Sequence, residues 1–186
     1  MTPEKYLQKI REHADELRRA YADRWPRMMR KEAVEHFRDG FRQGGFIDKA
    51  LEPWDVTRRQ MVPFNGTLGR YTPLLSKTGA LMSSIDGVTE AGAVRMYSTS
   101  SHAQYHNEGA RIPVTQRMKG FFWARHKETA DRYGKDNAEA LFWRNMALTK
   151  KRELRLPKRR FMSHSEALME KIYAAIKKDL RRIMDL

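Results

Sequence analysis

His102-Ala103-Gln104-Tyr105-His106, followed by Glu108, is the stretch whose residue types most invite chemistry. Two imidazoles four apart share one helical face, a spacing that can hold a metal. The zinc-protease pattern puts a glutamate directly after its first histidine, and here that position is Ala103. The same spacing equally suits a short helix whose histidines touch backbone or a neighbouring element. Lys119-Gly120-Phe121-Phe122-Trp123-Ala124-Arg125-His126 begins like the aromatic run of an RNA-binding sheet. Its fourth position is Phe122 where Gly or Ala belongs, and its surroundings read as helix, so packing on a core or on another subunit fits better. Gly66-Thr67-Leu68-Gly69-Arg70 is too short and wrongly spaced for a phosphate loop. Glu4, Glu12, Asp15 and Glu16 fall on the solvated face of a helix, and no carboxylate pair elsewhere has apolar shielding. With no cysteine, no nucleophile elbow and no acid–base pair, the sequence argues against an enzyme and calls for no cofactor or metal.

The elements around these residues are legible from periodicity. Thr2 caps a helix that Pro3 opens, and Leu7, Ile10, Ala14, Leu17 and Tyr21 form an amphipathic stripe. Pro26 kinks or restarts it near Trp25, with Asp23 available as a new cap. Met29, Ala33, Phe37 and Phe41 continue the stripe until Gly44-Gly45. One bent helix or two in line are expected, with the aromatic end on a sheet. Residues 46–74 are too rich in Pro and Gly for a long helix. Trp54 is read as an anchor into the core, and Arg58 to Pro73 as a mobile loop or ragged hairpin.

The central stretch, Leu75 to Gly109, reads as a compact helix, strand and helix. Leu81 and Ile85 share one face of a short helix capped by Ser76 or Thr78. Asp86-Gly87 and Ala91-Gly92 read as turns, and Val94, Met96 and Ser98 alternate as a half-buried strand should. A helical turn from Ala103 to His106 ends at Gly109. Arg111 to Thr115 reads as an edge strand containing Pro113. Gln116 to Tyr133 and Asn137 to Leu148 follow as two helices, with Leu141, Phe142 and Met146 buried. The chain returns through the alternating Glu153 to Phe161. A last helix is capped by Ser163 and Glu166 and carries Leu168, Ile172, Ile176, Leu180 and Ile183 as a stripe at helical spacing.

Charge narrows the partners. The 186 residues carry 37 Lys and Arg against 23 Asp and Glu, a net +14, which favours contact with nucleic acid or an acidic protein. Residues 150–186 hold 12 basic and 5 acidic residues, half of that excess. The basic C-terminal helix is the strongest surface signal. The N-terminus lacks a signal peptide's apolar core, and no apolar run nears the roughly 20 residues of a membrane span, so a soluble, unexported protein without membrane contact is expected.

Taken in order, Leu75-x-x-Thr78-Gly79-x-Leu81-x-x-Ser84-Ile85, a strand, Ala103-x-x-His106-x-x-Gly109 and Leu156-Pro157-x-Arg159-x-Phe161 resemble the phage virion morphogenesis family. These are the Mu-type tail-completion and head–tail joining proteins of phages and prophages. The helix end Phe37 to Phe46 with Trp54 downstream, and the insert from Phe121-Phe122-Trp123 to Met146 and Lys151, agree with it. Met162-Ser163-His164 departs from the small apolar residue and glycine that more often follow.

The resemblance implies an α+β fold, a small curved and mostly antiparallel sheet packed against a long N-terminal helix and a C-terminal helix, with a helical insert. It implies one tail-completion-like domain over 1–186, comprising an N-terminal helical region (1–43), a central core (75–115), an insert (116–150) and a C-terminal helix (163–186). Thr78, Gly79, Leu81, Ile85, His106, Gly109, Pro157 and Phe161 are the structural positions of the motif. The implied function is structural, with ring-like oligomers completing the tail or joining it to the head. Copies of the chain, the head-side connector and tail-tube proteins are the implied partners, and DNA in the channel is a further one. The implied location is the virion neck or tail, and the host cytoplasm during assembly. Candidate contact residues are Arg58, Arg59, Arg70, Phe121, Phe122, Trp123, Lys158, Arg159, Arg160, Lys177, Lys178 and Arg181. The alternative is a basic nucleic-acid-binding module.

Overall fold

The computed structural model describes residues 2–57, 72–75 and 78–185. Ser76 and the turn-rich stretch holding Arg58, Arg59 and Arg70 lie outside the described residues. The fold is α+β, built from small antiparallel sheets and a long N-terminal helix.

Helix α1 (Pro3–Arg19) begins where Thr2 accepts the Lys5 N–H, as its sequence predicts. It runs through a π turn (Ala20–Arg24) directly into α2 (Trp25–Gln43), which stops at Gly44. The π turn accounts for the tolerance of Pro26. Its wide ladder sends the Trp25 N–H to the Ala20 carbonyl, and on that register residue 26 would serve Tyr21. Proline has no N–H, so the Tyr21 carbonyl is left over and accepts the Gly92 N–H at 3.0 Å. Asp23 is no cap but pairs with Arg27 at 2.7 Å.

The core gathers on the second half of this rod. Phe37 and Phe41 of α2 meet Phe46, Trp54, Ile85, Ala103 and Phe161 in one buried cluster. Phe41 makes edge contacts with Trp54 at 5.4 Å and with Phe161 at 5.2 Å. Trp54 is the anchor its sequence context predicts, because its indole N–H also donates to the Arg160 carbonyl at 2.8 Å. It directly follows the hairpin of β1 (Gly45–Ile47) and β2 (Leu51–Pro53).

The central stretch differs in detail from its sequence reading. The short helix α3 (Ala80–Ser83) starts at Gly79 with no side-chain cap and ends before Ile85. Ser84 turns its hydroxyl back onto the Leu81 carbonyl at 2.7 Å, and the chain extends from there. Ile85 therefore enters the core as the first residue of β3 (Ile85–Glu90), and Asp86-Gly87 is strand, not turn. The turn is Ala91-Gly92, joining β3 to β4 (Ala93–Ser98), with Gly92 at φ 71°.

Helix α4 (Ala103–Glu108) ends at Gly109 and leads into β5 (Ala110–Pro113), which pairs with β6 (Glu153–Leu156). Between them lie α5 (Gln116–Tyr133) and α6 (Ala138–Ala147), capped by Thr115 and Asn137. Helix α7 (Glu166–Ile183) closes the chain, packing on α1 and α2. Its cap is Ser165, which accepts the Leu168 N–H, and not Ser163; the Glu166 N–H goes instead to Asp48 Oδ1 at 2.7 Å. Among the described residues the strands form three separate two-stranded sheets, each pairing strands of one hairpin or one arm.

Candidate interaction surfaces

The residues singled out by their types and order converge on the base of an arm. Ribbon β5–β6 and hairpin α5–α6 form that arm, and among the described elements α5 and α6 pack chiefly on one another. Its interior stacks Phe122 on Trp143 at 6.0 Å and seals with His126 Nδ1 bonding the Ala140 carbonyl at 2.9 Å. At the base, Gly109 has φ 80°, and a Cβ there would meet the Lys158 backbone nitrogen at 3.0 Å. The two arm strands thus leave the body at closest approach beside Gly109 and Pro157. The Arg159 N–H bonds the His106 carbonyl at 2.8 Å, and Asn107 Oδ1 accepts the N–H groups of Phe161 and Met162 at 2.9 and 3.1 Å. Phe161, next in the chain, plugs the core. Ile85 and Phe161 thus lie in one cluster, with Leu81 packed against it and His106, Gly109 and Pro157 forming the joint above it. Thr78 is exposed.

The candidate contact residues separate into two groups. Phe121, Trp123, Lys158, Lys177, Lys178 and Arg181 are exposed. Phe122 is buried inside the arm, so it packs the hairpin and presents no surface. Arg159 is buried as well, its guanidinium donating twice to the Asp55 carbonyl. Arg160 is held by Glu52 at 2.6 Å and lies over the Phe46 ring at 4.1 Å. These two cations hold the arm base against β2; they do not reach outward.

Two apolar faces were not anticipated. Leu141, read as buried, is 37% exposed, and Leu148, which follows the last residue of α6, is exposed as well. The first half of α1 shows Tyr6, Leu7 and Ile10 to solvent. The periodicity that predicts such stripes says nothing about what covers them.

Electrostatics divide the molecule. Where α1, the π turn and α7 meet, Asp179 accepts from the Trp25 indole at 2.8 Å, from Arg24 at 3.0 Å and from Arg182 at 3.1 Å. Arg182 also bonds Glu16 at 2.8 Å, and this bond holds the Glu16 carboxyl below its ordinary range. Lys9 pairs with Asp185 at 2.9 Å. Asp86 is held low by the Gly87 N–H and by Arg30. Burial lowers the His106 imidazole, and nearby Arg159 adds to it; burial also lowers His36.

His102 is exposed and His106 half-buried, with Glu108 turned to Gln104. Among the described residues no three His, Asp or Glu side chains come close enough to hold a metal ion. An apolar groove of about 510 Å³ runs between α2, β4 and the start of α7, lined by Met29, Met96, Met162 and Met169. Among the described residues its titratable lining is His164 alone. Among the described residues no helix is long and apolar enough to cross a membrane. No family model, curated protein or solved structure matches the chain.

Proposed function

We propose that this chain is a structural protein of the phage neck or tail, completing the tail or joining head to tail by assembling into rings. The observation that carries the reading is where the ordered motifs lie. Leu81, Ile85 and Phe161 meet at one core, and Gly109 and Pro157 sit at the joint from which an arm projects. Such positions fix a geometry, and the geometry they fix is that of a presenting surface. The arm carries Phe121 and Trp123 at 56% and 40% exposure among the described residues. Aromatic residues of this kind are enriched where subunits meet. An arm on one copy that meets the body of the next makes a heterologous contact, and a heterologous contact that closes by rotation makes a ring. One rim then faces the head-side connector and the other the tail tube.

The test is electron microscopy of virions produced without this chain. The expected result is separated heads and tails or unfinished tails. Intact, infectious tailed particles would refute the proposal. The double substitution F121S/W123S, on exposed positions, is expected to lower self-association in light scattering while leaving the melting temperature within a few degrees. Unchanged association would remove the arm from the contact.

A further inference from the structure

We infer that the junction between ribbon β5–β6 and hairpin α5–α6 is a cationic collar that grips the phosphate backbone of duplex nucleic acid. The inference does not rest on the virion reading. Residues 110–156 hold 12 basic and 5 acidic side chains, so the arm alone carries half of the chain's +14. The register of the ribbon sets Arg111 directly opposite Arg155. Like charges facing each other across strands destabilise a sheet; Glu153 lies 3.4 Å from Arg111, and Asp55 and Glu108 line the same groove as the pair. The Val114 N–H bonds the Arg152 carbonyl at 2.8 Å, which draws the run Lys150-Lys151-Arg152 beside the start of α5. There Arg117 occupies the first turn, which contains no acidic residue. Arg117, Lys150, Lys151, Arg152 and Arg155 are all exposed and make no ion pair among the described residues.

Three of the arm's five carboxylates are engaged elsewhere or distant. Glu128 is held by Arg125, and Glu139 accepts from the Trp143 indole. Asp131 stands fourteen residues along α5 from Arg117, about 21 Å at 1.5 Å per residue, beyond a Debye length of roughly 8 Å. The C-terminal helix is different. Its cations are interspersed with Glu170 and Asp179, and Arg182 is cross-linked to Glu16 of α1.

The chemistry favours nucleic acid over an acidic protein. Protein interfaces are depleted in Lys at their centres, whereas Thr149 to Arg152 contains no apolar side chain to form such a centre. The run contains no aromatic on which a single-stranded base would stack. Duplex DNA presents one charge per roughly 1.7 Å, and each neutralised phosphate releases counterions.

The test uses the full chain and a fluorescein-labelled 30-base-pair DNA duplex, titrated by anisotropy from 50 to 200 mM KCl. Five phosphate contacts give a log–log salt slope near −4.5, at about 0.9 per contact. K150Q/K151Q/R152Q is expected to make the slope shallower by about 2.7, removing roughly 40-fold of the affinity lost over that fourfold rise in salt. K177Q/K178Q/R181Q removes the same charge from α7 and is expected to leave the slope within about one unit. Circular dichroism melts verify that both variants fold. Equal slope changes in the two variants would mean that binding follows net charge, and would overturn the collar. Absence of binding at 50 mM, or binding to poly-glutamate but not to the duplex, would overturn it as well. Normal virions made without the chain would refute the ring reading and leave this titration untouched.

Discussion

Asn107→Ala is the substitution that most directly probes how the arm is joined to the core. The Asn107 carboxamide oxygen accepts two backbone N–H groups, from Phe161 at 2.9 Å and Met162 at 3.1 Å. Both donors adjoin the Phe161 ring, which is 2% exposed and packed on Phe41, so neither can easily turn to water. A donor left unsatisfied on burial costs about 1–3 kcal/mol. With partial water access, two such donors sum to about 2–4 kcal/mol. For a chain of this size that corresponds to a fall in melting temperature of roughly 5–15 °C. Urea unfolding at pH 7 measures it. Asn107→Asp separates the hydrogen bonds from the loss of packing, because a carboxylate keeps the acceptor. Its stability at pH 7 should lie within about 1 kcal/mol of the parent. Two N–H donors favour the charged form and depress the folded pKa of that aspartate. Its support is therefore present above the unfolded value of about 3.9 and lost as pH falls through the folded one. An alanine variant within about 0.5 kcal/mol of the parent would refute the account, since two part-buried donors left without an acceptor could not cost so little.

Two other perturbations test separate parts of the fold. Burial lowers the His36 and His106 imidazoles, each of which keeps a buried Nδ1 without a partner among the described residues, so the unfolded chain takes up protons first as the solution is acidified. Stability is then full above about pH 6.5 and declines as pH falls toward the folded values. Melts between pH 8 and 5 should show this decline, flattened in H36Q/H106Q; an equal slope in that variant would assign the decline elsewhere. Gly92→Ala places a Cβ at φ 71° and against the Tyr21 ring, and should cost about 1–2 kcal/mol in urea unfolding through the backbone alone. A neutral result would mean that residue 92 does not hold a left-handed backbone in the β3–β4 turn.

Much of the local structure was legible. The Thr2 cap, the span Gln116–Tyr133 and the helical insert follow from periodicity and from cap residues within a few positions of each helix end. Strand β5 was visible as an edge strand around Pro113, β6 as alternation, and Trp54 as a lone indole among turn residues. The failures share one cause. Ser165 displaced Ser163 as the cap of α7 because Asp48, 118 residues away, takes the Glu166 N–H. Ile85 left the helix because Ser84 bonds Leu81 behind it and Ser98 across the hairpin. Nothing near Asn107 announces its role, which depends on backbone more than fifty residues later.

The joint of the candidate surface was legible in the same partial way. His106, Gly109, Pro157 and Phe161 were marked by type and order, while Phe122 and Arg159 looked like surface residues until their burial was seen.

By itself the sequence determined what is local or additive: periodic stripes, caps, the positions of glycine and proline, and a net charge of +14. The tertiary structure alone decided which stripe is covered and which cation finds a carboxylate. Burial and ion pairing are set by neighbours in space, as when Arg24 and Trp25 reach Asp179 across more than 150 residues while Lys150, Lys151 and Arg152 are exposed and pair with no carboxylate among the described residues. No window of sequence contains both members of such a pair.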